Sequence, residues 1–112
     1  MKNENASKIM VKSGKHITDI STKTLTPIYN IEYVCTFEEW DDSISVYIFF
    51  ADNELKKQAL SSGVVDMLKE KYICYLKTHN YPFDKFPKVF FEIDSHENVL
   101  KNYEGSYFYR LR

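Results

Sequence analysis

The sequence has few of the residues from which several common kinds of site are built. It contains only three glycines, and they are far apart, whereas a phosphate-binding loop needs several in one short segment. Its three histidines, His16, His79 and His96, have no spacing typical of metal ligands. We therefore expect neither a nucleotide-binding loop nor a metal centre, and no cofactor.

Long apolar runs are also missing. No segment has the roughly 20 apolar residues that span a bilayer, and residues 1–30 have no apolar core typical of a signal peptide. The two cysteines, Cys35 and Cys74, are distant in sequence, and disulfide-bonded cysteines are typical of secreted proteins. We therefore expect a cytoplasmic protein without a membrane partner, in which both thiols are reduced and buried.

The chain does contain enough apolar sequence for one core. Its 112 residues are 44% hydrophobic and 16% aromatic. A chain of this size forms one domain rather than two. We expect residues 1–112 to form this domain, with the polar residues 1–7 as a frayed tail.

The segment from Ser43 to Phe50 has the clearest pattern in the sequence. Apolar side chains occupy its even positions, and its odd positions change from serine to aromatic residues, in the order Ser43, Ser45, Tyr47 and Phe49. Such alternation with β-branched and aromatic residues is typical of a strand with one buried face. The aromatic end predicts a central strand that is covered on both faces at that end.

A long amphipathic segment follows this strand. Asp52 and Asn53 are both suitable N-caps, and apolar residues recur at three- and four-residue spacings from Leu55 to Leu76. The pattern keeps its phase across Gly63, so it predicts one long helix, kinked at most there, in which alanine at position 63 would be tolerated. Asn80 is a suitable left-handed stop.

The segments before Ser43 have weaker patterns. Residues 8–20 fit neither the helical nor the strand period well, and we assign them to a short strand or edge segment. Residues 29–37 alternate as a strand, with Tyr29 at the start of its apolar face. Val34 is the one apolar residue on the other face of this strand.

Three short elements are predicted at the C-terminal end. Residues 88–94 alternate as a strand, Ser95 caps a short helix that stops at Gly105, and residues 107–111 alternate as a last strand. Together the elements predict an α+β fold. We expect a mostly antiparallel sheet of about four strands, with one long helix packed on a face and a short C-terminal helix.

Charge is distributed unevenly along the chain. Residues 31–54 contain seven acidic residues and no lysine or arginine. Four of these carboxylates surround the only tryptophan in the loop between the first two predicted strands, as Glu38, Glu39, Trp40, Asp41 and Asp42. Tryptophan is frequent at interface hot spots, and clustered negative charge attracts basic partners. We predict that this loop binds a partner protein, although a solvated turn with its tryptophan folded over the sheet explains the same residues.

Two other kinds of function fit individual features. Asp94, Ser95 and His96 include the residue types of a catalytic triad, but sequence neighbours do not easily converge, and Ser95 suits a helix cap. We therefore expect no enzymatic activity and no small-molecule substrate. The sheet aromatics and the lysines of the long helix suggest a nucleic-acid-binding module as the alternative, although the order of elements is not that of the common RNA-binding fold.

The C-terminal residues resemble a known family. Residues 91–112, about a fifth of the chain, include Asp94-Ser95, Glu97-Asn98-Val99, Tyr103, Gly105 and Tyr107-Phe108-Tyr109. In this order they resemble the end of small bacterial immunity proteins from contact-dependent growth inhibition systems. The resemblance implies a protein that binds one cognate toxin domain in the cytoplasm and blocks it. Such toxins are often nucleases and hence basic, which suits the acidic loop, and no binding role is assigned to the matched residues themselves.

Overall fold

A computed structural model describes residues 2–35, 43–84 and 87–111, and for residues 2–7, Cys35 and Ser43 only the backbone. Five helices and three strands lie within these ranges. In chain order they are α1 (Lys2–Ser21), β1 (Ile28–Cys35), β2 (Ser43–Phe50), α2 (Asn53–Ser61), α3 (Val64–Thr78), β3 (Lys88–Ser95), α4 (His96–Asn102) and α5 (Tyr107–Arg110). The predicted α+β class is confirmed.

The three strands form one mixed sheet in the order β1-β2-β3, so the prediction of a central β2 is confirmed. β1 pairs antiparallel with β2, and β3 pairs parallel with β2, for example Ile44 with Val89. The expectation of a mostly antiparallel sheet of about four strands is therefore wrong. Helices α2 and α3 form a crossover that returns the chain to the starting end of β2, and a strand that begins there runs parallel to it.

The core lies between one face of this sheet and the helices α1, α2 and α3. The even-numbered side chains of β2 are buried against it, as predicted, together with Leu68, Tyr72 and Leu76 of α3. Full burial of a Val, Leu, Ile or Phe side chain stabilises the fold by about 1.5–3 kcal/mol. The far end of β2 is covered on both faces, as expected, because Phe49 and Phe50 are both fully buried.

Helix α1 corrects the assignment of residues 8–20 to a short strand. Its buried face consists of Met10, Ser13, Ile17 and Ser21, at helical spacing. Two of these positions are serines, which interrupt the apolar pattern but are satisfied inside the fold. Ser13 Oγ donates to the Tyr72 carbonyl at 3.0 Å, and Ser21 Oγ accepts from the Ile28 N–H at 2.9 Å. The frayed tail at residues 1–7 stays a prediction, since their side chains lie outside the described part.

The predicted single long helix is two helices, α2 and α3. Gly63 between them has φ of +85°, a left-handed conformation that an α-helix interior does not contain. The apolar spacing alone did not reveal this break, and Leu60 beside it is exposed rather than part of the buried stripe. The predicted ends are confirmed, because Asp52 Oδ1 accepts from the Leu55 N–H at 2.8 Å and Asn80 has φ of +62°.

The C-terminal end contains one confirmed helix and one wrong strand assignment. Ser95 Oγ accepts from the Asn98 N–H at 3.0 Å and caps α4, and Gly105 follows it with φ of +77°. Residues 107–111 were expected as a strand, but Ser106 Oγ accepts from the Tyr109 N–H at 3.2 Å and caps the short helix α5. The alternating aromatics in this segment therefore reflect contacts other than strand pairing.

Two sequence expectations concerned solvent exposure. Cys74 is exposed on α3, where it lies with Glu70 and Lys77 along a shallow surface groove, so the prediction of a buried thiol is wrong at this position. The side chain of Cys35 lies outside the described residues.

No helix in the described ranges is long and apolar enough to cross a membrane.

Candidate functional site

The face of the sheet opposite helices α1 to α3 is the candidate site, and we call it the outer face. Strand register arranges its side chains in three rows, each with one residue from every strand. The rows are Asn30–Phe49–Asp94, Glu32–Tyr47–Glu92 and Val34–Ser45–Phe90. They differ in how much of the chain covers them.

The first row is covered by the segment that follows β3, residues 96–111, which we call the C-terminal cover. Phe49 is fully buried, and the Tyr107 ring meets it edge-on with a centroid distance of 4.8 Å. Arg110 Nε donates to Asp94 Oδ2 at 2.5 Å, between side chains that are 18% and 6% exposed. This end of the outer face is therefore part of the folded core rather than a binding surface.

Asp94 holds the C-terminal cover in place through several hydrogen bonds. Its carboxylate accepts from the Ser95 N–H at 2.8 Å and from Asn98 Nδ2 at 3.0 Å, as well as from Arg110. Burial alone raises the pKa of Asp94, but these donors and the Arg110 charge outweigh it and hold the pKa below its ordinary value. The ionised carboxylate is thus the form that fixes α4 and α5 to the sheet.

The side chains of Asp94, Ser95 and His96 bond to different side chains, which are Arg110 and Asn98 for Asp94, Asn53 for Ser95 and Tyr107 for His96. The Ser95 hydroxyl caps α4 and donates to Asn53 Oδ1 at 2.5 Å. His96 Nδ1 lies 2.7 Å from the Tyr107 hydroxyl, and its ring stacks on Tyr29 with a centroid distance of 4.5 Å. All three side chains therefore have structural roles at the covered end.

Tyr29 lies on the outer face, which corrects its assignment to the buried face of β1. A bulge between Ile28 and Asn30 shifts the register there, so that Ile28 faces the core and Tyr29 turns toward His96. Ile31 and Tyr33 pack against the core as expected. A bulge inserts one residue without changing the composition, so alternation counted along the sequence does not detect it.

The middle row is partly covered and carries two carboxylates. The Arg110 guanidinium lies 5.3 Å from the centre of the Tyr47 ring and 5.7 Å from that of Tyr103. Its contact with Glu92 is long, 3.9 Å, because its short bond is to Asp94. Glu32 accepts from Asn30 Nδ2 at 3.0 Å. Two acidic side chains therefore flank Tyr47, one on each neighbouring strand.

The last row is open to solvent and largely apolar. Val34 is 38% exposed and Phe90 is 54% exposed, and the smaller Ser45 lies between them in register. Exposed apolar side chains grouped with charged neighbours mark many protein interaction sites. We call this row, together with Glu32, Tyr47 and Glu92, the open strip.

The predicted loop, with Glu38, Glu39, Trp40, Asp41 and Asp42, lies outside the described residues. Cys35 and Ser43 are the described residues on either side of it, at the end of the sheet that carries the open strip. The loop's role in binding stays a prediction. Sequence reasoning missed Phe90, although Val34 had been recognised as an apolar residue on a polar face.

The lysines of the helices lie on the other side of the molecule. Among the described residues, α1 exposes Lys8, Lys12 and Lys15, and α3 exposes Lys71 and Lys77. Where these helices meet, the Tyr75 ring stacks on His79 at a centroid distance of 3.9 Å and lies tilted against His16 at 5.1 Å. The helix lysines and the aromatics of the open strip therefore lie on opposite faces of the sheet, and the aromatics have Glu32 and Glu92 beside them.

The chain was compared with protein families, with curated proteins and with solved structures. No family model, no curated protein and no solved structure matches this chain.

Proposed function

We propose that the protein is an immunity protein, a stoichiometric inhibitor that binds a basic toxin domain in the cytoplasm and has no catalytic activity of its own. The observation that carries this proposal is the open strip, where exposed Val34 and Phe90 lie beside the carboxylates of Glu32 and Glu92. Protein interfaces combine an apolar centre with a charged rim in this way. The C-terminal resemblance to immunity proteins supports the same function.

Charge favours a basic protein over a nucleic acid as the occupant. The only arginine of the described outer face, Arg110, is bonded to Asp94, and phosphates would meet Glu32 and Glu92. Four further carboxylates follow in the sequence between β1 and β2. A patch of one sign raises the association rate of an oppositely charged partner, most strongly at low salt.

Two measurements test this function. The first is genomic, since the proposal expects a gene for a large secreted toxin immediately upstream. The second is the binding of that toxin's C-terminal domain, carrying an inactivating substitution, measured by surface plasmon resonance over a range of salt concentrations. We expect a one-to-one complex, and we expect the active domain to lose its activity when one equivalent of the protein is added.

Charge-reversal variants locate the interaction. Replacing Glu39 and Asp42 together by lysine should slow association about tenfold at low salt and flatten its salt dependence. Trp40→Ala should instead raise the dissociation rate, by about 30-fold for a hot spot of 2 kcal/mol. The matched control reverses Lys12 and Lys71 to glutamate on the helices, and it should bind like wild type.

Three outcomes would contradict the proposal or change the face on which the partner binds. If the toxin domain fails to bind and to be inhibited, the protein is not its immunity protein. If the Lys12 and Lys71 reversals abolish binding while the loop variants bind normally, the partner uses the helix face. Salt-sensitive binding of a single-stranded oligonucleotide that depends on these two lysines would favour the nucleic-acid alternative.

A further inference from the structure

Strand register places a small side chain between two larger ones in the open strip, and this difference in size defines a recess about one side chain wide. Ser45 lies in the middle of its row, with Val34 of β1 and Phe90 of β3 directly beside it in register. Neighbouring strands are about 4.8 Å apart, so the backbones of the two flanking residues are separated by about 10 Å. Since serine ends at Oγ while valine and phenylalanine stand higher, Ser45 forms the floor of this recess and the larger residues form its walls.

The end of the recess is fixed by Tyr47, two residues along β2 on the same face. The Tyr47 ring is held between contacts, with Arg110 5.3 Å from its centre and the Phe49 ring stacked at a centroid distance of 6.4 Å. Arg110 is itself bonded to the buried Asp94. The Tyr47 end of the recess is therefore held in place before any partner arrives, and a side chain that is already ordered loses little conformational entropy on binding.

The rim of the recess is acidic. Glu32 and Glu92 lie two residues from Val34 and Phe90 on the same strands, one on each side of Tyr47. The Glu92 side chain is 56% exposed, and its contact with Arg110 is the longer of the two that Arg110 makes with carboxylates. Lys88, the one lysine of β3, lies two residues before Phe90 on the same face, and it already has an interaction. A partner's cations are thus attracted to both sides of the same recess.

From this arrangement we infer the chemistry of the partner's anchor, an inference that rests on the proposed function. The recess receives one large apolar side chain of the toxin domain, aromatic for preference because Phe90 and Tyr47 offer ring edges and faces. Lysine or arginine residues beside that anchor pair with Glu32 and Glu92. A buried anchor in a pocket, surrounded by charged contacts, is the usual arrangement of an interface hot spot.

Filling the recess tests the inference. Ser45→Leu places a larger side chain on a partly exposed outer-face position and leaves the core residues of β2 unchanged. We expect it to weaken binding of the inactivated toxin domain at least 30-fold, mainly through faster dissociation, while Ser45→Ala binds within twofold of wild type. Ser61→Leu, at an exposed position on α2, is the matched control and should bind like wild type.

The outcomes separate this inference from the function on which it rests. If wild type does not bind the toxin domain, both are wrong. If wild type binds and Ser45→Leu binds within threefold of it, the anchor does not use this recess, and the proposed function stands. Should Ser45→Leu fail to fold, Phe90→Ala removes one wall at an exposed position, and the inference requires at least tenfold faster dissociation from that variant.

Discussion

At the scale of single residues, Gly63 has a left-handed backbone conformation, which alanine disfavours. Its φ is +85°, and a Cβ added there would meet no atom within 4 Å, so strain alone decides the effect. We expect Gly63→Ala to lower the free energy of unfolding by about 1–2 kcal/mol, the cost of a left-handed conformation in a residue with a Cβ. Urea denaturation followed by circular dichroism measures this loss.

A second variant tests whether backbone strain causes the loss of stability at this position. Asn tolerates the left-handed conformation better than Ala, so Gly63→Asn should lose less stability than Gly63→Ala. A Gly63→Ala protein as stable as wild type, or more stable, would support the continuous helix that the apolar spacing predicts.

Asp94 gives the protein a defined sensitivity to acid. Its pKa is below the ordinary value in the fold, so its ionised form stabilises the protein above the unfolded pKa, about 3.9. This contribution is lost as the pH falls through the lowered pKa. We expect Asp94→Asn to be about 1.5–3 kcal/mol less stable than wild type at pH 7, and the difference to shrink steadily below about pH 4.

Thermal unfolding at a series of pH values measures this difference. Glu70→Gln, which removes an exposed carboxylate of α3, is the control and should follow the wild-type curve closely. An Asp94→Asn deficit that stayed constant from pH 7 to pH 2 would show that the carboxylate charge does not hold the C-terminal cover.

At the scale of elements, α1 approaches β1 closely because residue 14 is glycine. A Cβ at this position would overlap the Tyr33 hydroxyl and lie 3.2 Å from its ring carbon Cζ. That hydroxyl donates to the Met10 carbonyl at 3.2 Å, and the Tyr72 hydroxyl donates to the same carbonyl at 3.1 Å. Burial raises the pKa of Tyr33 to about 12, so it remains a donor. Two features thus position α1 on the sheet: the absence of a Cβ at Gly14, and the Met10 carbonyl, which accepts hydrogen bonds from both Tyr33 and Tyr72.

A double-mutant cycle tests this contact. Gly14→Ala should cost about 1–3 kcal/mol through overpacking, more than the gain that alanine brings to a helix. Tyr33→Phe alone should cost about 1 kcal/mol for its hydrogen bond. Because the phenylalanine ring lacks the overlapping hydroxyl, the double variant should be more stable than the sum of the two losses predicts. Additive losses would mean that Gly14 and Tyr33 do not touch.

The elements that were predicted correctly are those whose pattern lies within their own residues. β2 was recognised by alternation, and the caps at Asp52 and Ser95 by residue type and position. α1 was missed because Ser13 and Ser21 hold buried positions, and their hydrogen-bond partners are distant or unknown before folding. The parallel pairing of β3 depends on the path of the crossover, which no local pattern specifies.

The candidate site was predictable only in part, for a similar reason. The acidic composition of the loop was visible in the sequence, and so was the exception at Val34. Alternation over residues 88–94 placed Val89, Phe91 and Ile93 on one face, which the structure confirms, but it did not say that Phe90 on the other face meets solvent. The structure separates the two neighbouring aromatics, since Phe91 packs edge-on against Tyr72 in the core at 5.6 Å and Phe90 is exposed.

At the scale of the whole molecule, the two faces differ in charge and in what they offer a partner. The helix face exposes lysines, and the outer face presents an apolar recess with carboxylates on its rim. The C-terminal cover occupies one end of the outer face, and at the other end Val34 and Phe90 are exposed among the described residues. On the outer face, Glu32 and Glu92 lie beside the exposed Val34 and Phe90, where they would attract a basic partner.

Two valines of similar exposure make a direct test of which face binds. Val34 lies on the outer face and is 38% exposed, and Val11 lies on α1 and is 44% exposed. The measurement is methyl cross-saturation by NMR, with a deuterated, methyl-labelled protein in complex with the protonated, inactivated toxin domain. We expect irradiation of the toxin to attenuate the Val34 methyl signals strongly and to leave those of Val11 unchanged. Attenuation of Val11 with Val34 unaffected would contradict the account and place the partner on the helices.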